Sequence, residues 1–201
     1  MMTMAANPAA TRSPPADEEA YWHDRLAEVA AGSEQALEAC YRHFGPLIHR
    51  FLLSRGCSEE AAMQVLNETM LELWRGAAAA FEGRSRISTW LLGIAHHRMI
   101  DHIRREARHD AQSLDEGYDP EPDDRDDPGH LLDLKLEQSR LQECLHRLPG
   151  ELRQLCYLVF FEQLPYSDIA RILDCPEGTI KSRIFHIRKR LRACLAQTQG
   201  D

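Results

Sequence analysis

The chain has 201 residues, of which 43% are hydrophobic and 28% are charged, and its formal net charge at pH 7 is −8. This length fits one or two small domains, and the apolar content suffices for helical cores. No apolar run is long enough to span a membrane, and the N-terminal segment lacks the apolar core of a signal peptide. We therefore expect a cytoplasmic protein without membrane insertion.

The N-terminal half predicts four helices. A short amphipathic helix covers residues 17–31, and apolar residues at three- and four-residue steps predict a second helix over 33–55. A serine that can serve as N-cap opens the third helix, over residues 58–74. Ser88 is predicted to cap a fourth helix over residues 89–108.

An acidic segment follows, and it accounts for the negative net charge. Residues 110–130 contain nine acids and one base, together with three prolines and two glycines. Such a composition buries too little apolar surface to fold alone and favours an extended, flexible linker. The segments on either side, 81–109 and 176–194, are basic. A second interpretation therefore stays open, in which the acidic segment mimics nucleic acid and masks the basic helices until a partner binds.

The C-terminal part predicts two helices over residues 131–148 and 151–162, followed by a helix-turn-helix over 166–192. In the helix-turn-helix, Leu173 closes the first helix and Pro176 lies near the start of the second. No stretch of the chain alternates like a half-buried strand. The predicted fold class is all-α: a tail over residues 1–20 and two small helical domains, 21–109 and 131–197, joined by the acidic flexible linker 110–130.

The second helix of the helix-turn-helix has two chemically distinct faces. A helical wheel places Ile180, Ile184, Ile187 and Leu191 on one apolar stripe. The opposite face carries cations and one phenyl ring: Ser182, Phe185, His186 and Lys189, flanked by Lys181, Arg183, Arg188, Arg190 and Arg192. Cations can neutralise phosphates, serine can hydrogen-bond a base edge or a phosphate, and a phenyl ring can contact a thymine methyl. This face predicts DNA binding. The alternative is an ordinary helical hairpin with a basic surface.

The cysteines and histidines do not predict a metal or catalytic site. The six cysteines are scattered without a CxxC pair, and we expect them to be reduced. On a helix, His97 and Asp101 share a face, but His96 and His102 point elsewhere. Because HEXXH, P-loop, GxSxG and Rossmann patterns are also absent, we expect neither an enzyme nor a cofactor.

Two segments of the chain resemble bacterial sigma factors of the extracytoplasmic-function (ECF) group of the sigma-70 family. They are FEGRSRISTWLLGIAHHRMIDHIRREAR (81–108) and LPGELRQLCYLVFFEQLPYSDIARILDCPEGTIKSRIFHIRKRLR (148–192). The most specific stretches are TWL…IA…R-x-x-x-D and GTIKSRIF, in that order. In this family a helical promoter-melting domain, sigma-2, is joined by a linker to a helix-turn-helix domain, sigma-4. The resemblance covers residues 36–195.

The resemblance implies two DNA-binding sites. In the −10 site, the loop with Arg84, Ser85 and Arg86 corresponds to a pocket for a flipped-out base, and cations of the following helix supply a phosphate-binding field. These cations are Arg98, His102, Arg104, Arg105 and Arg108. Trp90 suits either a core position or a stacking platform. In the −35 site, Lys181, Ser182 and Phe185 match base-reading positions, and Thr179, Arg183 and His186 match backbone-contacting positions. Lys189 joins them on the same face of the helix.

The resemblance also implies a polymerase-binding surface on the helix Ser58–Trp74, which matches the family's contact with the clamp coiled coil of the beta-prime subunit. Its candidate residues are Glu60, Gln64, Asn67, Glu68 and Glu72. The sequence departs from the family pattern at Gln64 and Asn67, and a solvated acidic face is an equal alternative for any one of the five.

The implied partners are core RNA polymerase, promoter DNA and a cognate anti-sigma factor. The implied function is to bind core polymerase, recognise the −35 and −10 promoter elements and direct transcription initiation. The alternative is a stand-alone helix-turn-helix regulator that acts without core polymerase. The second basic segment, 81–109, favours the first interpretation, because a simple regulator needs no cationic loop for single-stranded DNA.

Overall fold

The computed structural model describes residues 16–112 and 140–197, and all regular structure in these ranges is helical. The predicted all-α fold class is therefore confirmed. None of the described helices is long and apolar enough to cross a membrane. The helices are α1 (Ala16–Ala30), α2 (Glu34–Arg55), α3 (Glu59–Trp74), α4 (Ile87–Gln112), α5 (residues 140–146), α6 (Gly150–Cys156), α7 (Tyr166–Ile172) and α8 (Glu177–Gln197), with a 3₁₀ turn at Ala77–Ala80 and a π-helical turn at Tyr157–Phe161.

Local caps set the ends of α2 and α3, and the serine cap at the start of α3 is the one that the sequence predicts. The hydroxyl oxygens of Ser33 and Ser58 accept hydrogen bonds from the backbone amides of Ala36 and Ala61, each over 3.2 Å. Gly56 ends α2 with a φ of 102°, in the left-handed region that favours glycine. These three residues fix where α2 stops and α3 starts.

The predicted start of α4 is wrong by two residues. The helix begins at Ile87, whose amide donates a 2.8 Å hydrogen bond to the carboxylate of Glu19 in α1. A carboxylate at a helix N-terminus both satisfies a free amide and interacts favourably with the helix dipole. Ser88 therefore lies inside the helix. The other end of α4 reaches Gln112, and the predicted tail up to residue 15 and the predicted linker from residue 113 onward lie outside the described residues.

The helix-turn-helix forms where the sequence predicts it. Leu173 follows the last residue of α7, and Asp174 turns the chain with a φ of 46°, a conformation that aspartate tolerates better than most residues. The apolar stripe of α8 is confirmed, because Ile180, Ile184 and Ile187 are buried and Leu191 is half-buried.

The expectation that all six cysteines are reduced is wrong for one pair. Cys144 of α5 and Cys194 of α8 form a disulfide across 50 residues of sequence, with their Cα atoms 5.9 Å apart. That separation is within the usual range for a disulfide. The sequence spacing gave no sign of the pair, because only the folding of α5 against α8 brings the two residues together. Cys40, Cys57, Cys156 and Cys175 are free.

The N-terminal and C-terminal helices pack on each other, and their buried side chains form one continuous cluster. The main polar contact lies where the start of α6 meets the end of α2. Arg153 donates hydrogen bonds to the carbonyl oxygens of Ser54 (3.0 Å) and Arg55 (3.2 Å), and Arg55 pairs with Glu151 at 3.2 Å. Nearby, the side-chain amide of Gln154 lies 3.7 Å from the sulfur of Met99 in α4. We call this interface between α2–α4 and α6–α7 the docking interface.

A substitution of Gly150 tests the docking interface directly. A Cβ atom at this position would lie 2.2 Å from the carbonyl oxygen of Arg55, so Gly150→Ala requires α6 to move away from α2. Alanine normally favours a helix over glycine, but here we expect a loss of about 1–3 kcal/mol in the free energy of unfolding, measured by urea denaturation.

Gly178 is the matched control for this substitution. It also occupies the first turn of a helix, α8, but a Cβ there would meet nothing within 4 Å. Gly178→Ala should leave the free energy of unfolding unchanged or raise it slightly. Equal effects of the two substitutions would contradict the docking interface.

Candidate nucleic-acid interface

A cavity of about 590 Å³ opens beside the start of α4 and brings together three of the residues predicted for the −10 site. Its lining includes Arg84, Ser85 and Trp90. Arg84 is almost fully exposed and pairs with Glu82 at 2.6 Å. Arg86 is half-buried, and its carbonyl oxygen accepts a 3.0 Å hydrogen bond from the amide of Trp90 in the first turn of α4.

Trp90 is both a packed residue and a wall of the cavity. Its ring is half-buried and lies against Phe81, with the ring centroids 4.8 Å apart and the planes tilted by 45°. Phe81 in turn contacts the ring of His23 in α1 at 5.0 Å. The stack holds the indole in place while leaving one part of it on the cavity surface. The two alternatives for Trp90 are therefore not exclusive.

Arg171 also lines this cavity, and sequence reasoning did not select it. It belongs to α7, the first helix of the helix-turn-helix, and reaches the cavity because α7 packs on α4 in the docking interface. Its side chain is exposed and lies 3.3 Å from Asp168 in the same helix. No signal in the sequence could have found Arg171, because its position depends on how the two parts of the chain dock.

The arginines of α4 face the acids of α3 across a groove of about 1020 Å³. Arg98 pairs with Glu72, and Arg105 pairs with Glu68 at 3.0 Å. The two arginines were predicted to bind DNA phosphates, and the two glutamates were predicted to bind polymerase. The structure therefore brings residues of the two predicted sites into contact with each other. Three further arginines line the groove: Arg75, Arg104 and Arg108. Of these, Arg75 was missed because it follows α3 rather than lying in the basic segment.

Hydrogen bonds from neighbouring side chains favour the ionised form of the Glu68 carboxyl. Partial burial raises the pKa of this carboxyl, but hydrogen bonds from Arg105 and Gln64 outweigh burial and leave the pKa below its ordinary value. Elsewhere on α3, Asn67 accepts a 3.1 Å hydrogen bond from Tyr41, and Glu60 is exposed in the first turn. The five predicted polymerase-binding residues thus share one helix, but Glu68 and Glu72 lie half-buried at its edge toward α4.

His102 occupies a different environment from the other predicted −10 residues. Its side chain is buried beneath α4's basic surface, with only 8% of the residue exposed, and its Nε2 lies 3.2 Å from a carboxylate oxygen of Glu106. Within residues 16–112 and 140–197, no group of three His, Cys, Asp or Glu side chains is placed to hold a metal ion.

The outward face of α8 exposes the predicted −35 residues together. Phe185 is 67% exposed, and its ring meets that of His186 edge to face at 5.8 Å. Lys181 pairs with Glu177 one turn earlier at 2.9 Å. Thr179 and Arg183 are half-buried at the margins of the face, while Ser182 and Lys189 are exposed. This face therefore combines one exposed phenyl ring with exposed cations, which are groups that can contact a thymine methyl and neutralise phosphates.

Comparisons with known proteins agree with this architecture. The chain matches the family models for Sigma-70 region 2 over residues 40–109 and for Sigma-70, region 4 over residues 138–191. It is 32% identical over 159 residues to the ECF RNA polymerase sigma factor RpoE of Cereibacter sphaeroides, a match that covers 79% of this chain and 86% of that protein. It is also 32% identical over 188 residues to the ECF RNA polymerase sigma factor SigK of Mycobacterium tuberculosis, covering 86% and 92% of the two chains.

Solved structures share the fold. RpoE of Bartonella quintana, in complex with the anti-sigma factor NepR, aligns with a TM-score of 0.63 and 24% identity, covering 79% of this chain and 96% of that one. CnrH, in complex with the cytosolic domain of CnrY, aligns with a TM-score of 0.59 and 21% identity, covering 87% and 97%. The helical pair of domains, the helix-turn-helix and these matches together define a transcription initiation factor.

The chain belongs to the sigma-70 family. Within the family it is a sigma factor of the extracytoplasmic-function group, and its function is to direct transcription initiation. The stand-alone regulator, kept as the alternative on sequence grounds, is not favoured.

The stability of the folded protein should depend on pH through His96, which is half-buried at the docking interface. The ring lies on α4, and burial is the main cause that lowers its pKa from 6.5 to about 4. The positive charges of His97 and Arg55 lower the pKa further, whereas the negative charges of Asp174 and Glu151 raise it. The folded protein therefore holds His96 neutral, whereas the unfolded chain binds a proton below pH 6.5. Because the unfolded state takes up more protons between these values, the stabilisation is complete above about pH 6.5 and is lost as the pH falls toward 4.

We expect the free energy of unfolding to fall more steeply between pH 6.5 and pH 4 in the wild type than in His96→Gln, measured by urea denaturation at a series of pH values. His146→Gln removes an exposed histidine that is not among the groups acting on His96, so it is the control and should keep the wild-type slope. Parallel curves for the wild type and His96→Gln would show that His96 does not contribute.

Proposed function

We propose that this sigma factor is the promoter-specificity subunit of RNA polymerase and contacts its partners through three surfaces, two of which adjoin each other. The domains that carry them are the predicted 21–109, which α1 and α4 extend to residues 16–112, and the predicted 131–197, with the rest of the tail and of the acidic linker outside both. The protein acts in the cytoplasm as a binding subunit and not as a catalyst. The observation that carries the proposal is the exposed Phe185 on the cationic face of a helix-turn-helix.

The −35 element binds to the outward face of α8. In helix-turn-helix proteins the second helix lies in the major groove, and α8 is the second helix of this motif. There the Phe185 ring can contact a thymine methyl, and Lys181 and Ser182 can reach base edges, while Thr179, Arg183, His186 and Lys189 face the phosphates. The Lys181–Glu177 ion pair is exposed and contributes little to stability in water. The ammonium group of Lys181 can therefore leave Glu177 and bind DNA at little cost.

The −10 element binds as an opened strand beside α4. The cavity bounded by Arg84, Ser85 and Trp90 offers an aromatic surface and a cation, which is the chemistry that holds an unstacked base. Arg86 lies in the same loop, at the start of α4. Arg98 and Arg105 then continue a cationic path along α4, above the buried His102. Arg104 and Arg108 extend the same path.

Core polymerase binds the exposed stripe of α3. Glu60, Gln64 and Asn67 lie on one face of the helix at three- and four-residue spacing, and the exposed apolar side chains of Met63 and Leu71 interrupt them. A stripe of this kind suits packing against a partner helix, such as the clamp coiled coil of the beta-prime subunit. Glu68 and Glu72 flank the stripe on the side of α4.

A cognate anti-sigma factor is a further proposed partner. The support is the fold shared with RpoE of Bartonella quintana, which was solved in complex with the anti-sigma factor NepR. An unrestrained specificity subunit would also compete for core polymerase continuously, so a restraining partner is expected on functional grounds.

The docking interface sets a condition on this function. Elements about 25 base pairs apart are separated by about 85 Å of duplex at 3.4 Å per base pair, whereas α4, with 26 residues, is about 39 Å long. Because α8 packs on α7 and α7 packs on α4, the docked molecule holds α8 and α4 closer together than the two elements and does not reach both at once. Promoter binding therefore requires the C-terminal domain to leave the N-terminal domain, with the linker spanning the distance.

Run-off transcription with bacterial core polymerase tests the proposal. The wild type should produce promoter-specific transcripts from fragments of the source genome. Phe185→Ala should abolish or strongly reduce them with little change in the free energy of unfolding, because the ring is exposed.

Leu141→Ala, which removes another exposed apolar side chain of the same domain, is the control and should leave the transcripts intact. No transcripts and no binding to core polymerase would reject the sigma-factor role of these surfaces. Transcripts unaffected by Phe185→Ala would reject the assignment of α8.

His186 offers a test of the phosphate-facing positions. A neutral histidine gives one hydrogen-bond donor, whereas arginine adds a permanent charge, so His186→Arg should tighten binding to the promoter duplex. It should also steepen the slope of log K against log salt by about 0.9, the value for one added phosphate contact. His146→Arg on α5 adds the same charge away from the face and is the control. Equal salt slopes for His186→Arg and the wild type would contradict this assignment.

A further inference from the structure

The cavity beside the start of α4 is lined by side chains from both docked parts of the chain. Thr89 and Trp90 belong to α4, whereas Arg171 belongs to α7 of the helix-turn-helix. Its volume of about 590 Å³ lies within the range of small-molecule sites, about 300–1,000 Å³. In the docked molecule the cavity therefore has a cationic wall that the N-terminal domain alone does not supply.

Gly93 leaves space in the wall of this cavity. The residue lies inside α4, where glycine destabilises a helix relative to alanine. A Cβ atom at this position would meet nothing within 4 Å, so packing inside the protein does not require glycine there. The space that the missing side chain leaves is open to an occupant of the cavity.

Thr89 adds an unpaired polar group to the same wall. The residue is 2% exposed, and its hydroxyl oxygen has no hydrogen-bond partner among the described residues. Buried hydroxyl groups are normally hydrogen-bonded, because an unpaired one costs free energy. Since Thr89 lines the cavity, a polar ligand inside it can supply the missing partner.

The lining also combines aromatic surface with positive charge. The rings of Phe81 and Trp90 pack on each other and both line the cavity. The guanidinium groups of Arg84 and Arg171 line it as well. Such a lining fits a ligand that carries both a flat heteroaromatic ring and a phosphate, because rings stack on aromatic side chains and arginine binds phosphate.

Both arginines keep donors available for a ligand. Arg84 pairs with Glu82, which also lines the cavity, and Arg171 pairs with Asp168 at 3.3 Å. A guanidinium group has five N–H donors, so each arginine can bind a phosphate oxygen without leaving its carboxylate. The two side chains are exposed, so they can turn toward a ligand.

We propose that the cavity of the docked protein binds a free nucleoside monophosphate, with the base on Trp90 and the phosphate on Arg84 and Arg171. The inference rests on the proposed function in one respect, because the same aromatic wall is proposed to hold an unstacked base of the −10 strand. The strand binds the separated N-terminal domain. The free nucleotide binds the docked pair, since Arg171 reaches the cavity through the packing of α7 on α4.

A nucleotide bound in this way opposes promoter binding. It has a higher affinity for the docked molecule than for the separated domains, so it shifts the population toward docking by that difference. It also occupies the surface proposed for the −10 base. The cavity therefore makes promoter binding sensitive to the concentration of free nucleotides.

Isothermal titration calorimetry of the full-length protein tests this proposal. The probes are AMP, GMP, CMP and UMP, and the reference ligands are adenosine and inorganic phosphate. At least one nucleotide should bind several-fold more tightly than both reference ligands, because only the nucleotides engage the aromatic wall and the arginines together. Phosphate binding as tightly as every nucleotide would show a simple anion site and would reject the proposal.

Two pairs of variants locate the site. Gly93→Leu fills the cavity and should abolish nucleotide binding, and it should still fold because leucine favours a helix and the position is open. Gly178→Leu, at an equally open position on α8, is its control and should bind normally. Arg171→Gln should weaken nucleotide binding several-fold, whereas Arg188→Gln removes an exposed cation of α8 and should not.

A single-stranded DNA oligonucleotide of random sequence separates the free nucleotide from the strand as the ligand that Arg171 serves. Arg171→Gln should leave the affinity for this oligonucleotide unchanged or raise it, because the strand binds the separated domain. Equal weakening for the nucleotide and the oligonucleotide would reject a site that depends on docking.

Two further results would overturn the proposal. One is nucleotide binding that persists in Gly93→Leu, and the other is nucleotide binding that Arg171→Gln leaves unchanged. Since none of these measurements uses core polymerase or a promoter, failure here is distinguishable from failure of run-off transcription, which would reject the proposed function instead.

Discussion

The contact between the start of α6 and the end of α2 determines the arrangement of the whole described molecule. Gly150 lets the two helix ends approach to a distance that no side chain would allow, and Arg153 donates to the last carbonyl groups of α2. Burial lowers the pKa of Arg153, and three carbonyl oxygens accept its hydrogen bonds. Because α6 is fixed in this way, α7 lies on α4, Arg171 reaches the cavity, and His96 is kept neutral.

A second constraint lies between α3 and α4, where the residues proposed for two partners bind each other. Arg98 and Arg105 cannot interact at full strength with Glu72 and Glu68 and with DNA phosphates at the same time. A polymerase contact that engages either carboxylate therefore releases an arginine toward the DNA strand. The proposed polymerase-binding and −10 surfaces would in this sense be coupled through four side chains, and substitutions of those residues would affect both proposed partners.

Sequence reasoning succeeded where local chemistry decides the structure and failed where distant residues do. The cap at Ser58 and the apolar stripe of α8 depend on residues within one or two helical turns, and both were predicted. The start of α4 depends on Glu19, 68 residues away, so a local rule placed it at Ser88. The disulfide, the position of Arg171 and the burial of His102 likewise follow from packing between elements, which periodicity in one sequence does not report.

The docking interface is built from parts of both proposed DNA-binding surfaces, and this links docking to promoter binding thermodynamically. On the C-terminal side it uses α7, the helix that crosses the DNA backbone in helix-turn-helix proteins, and on the N-terminal side it uses α4 beside the −10 cavity. Any ligand that binds the separated domains and not the docked pair shifts the population toward separation by its differential affinity. Promoter DNA would act in this direction, so the free energy of docking subtracts from the affinity for the promoter.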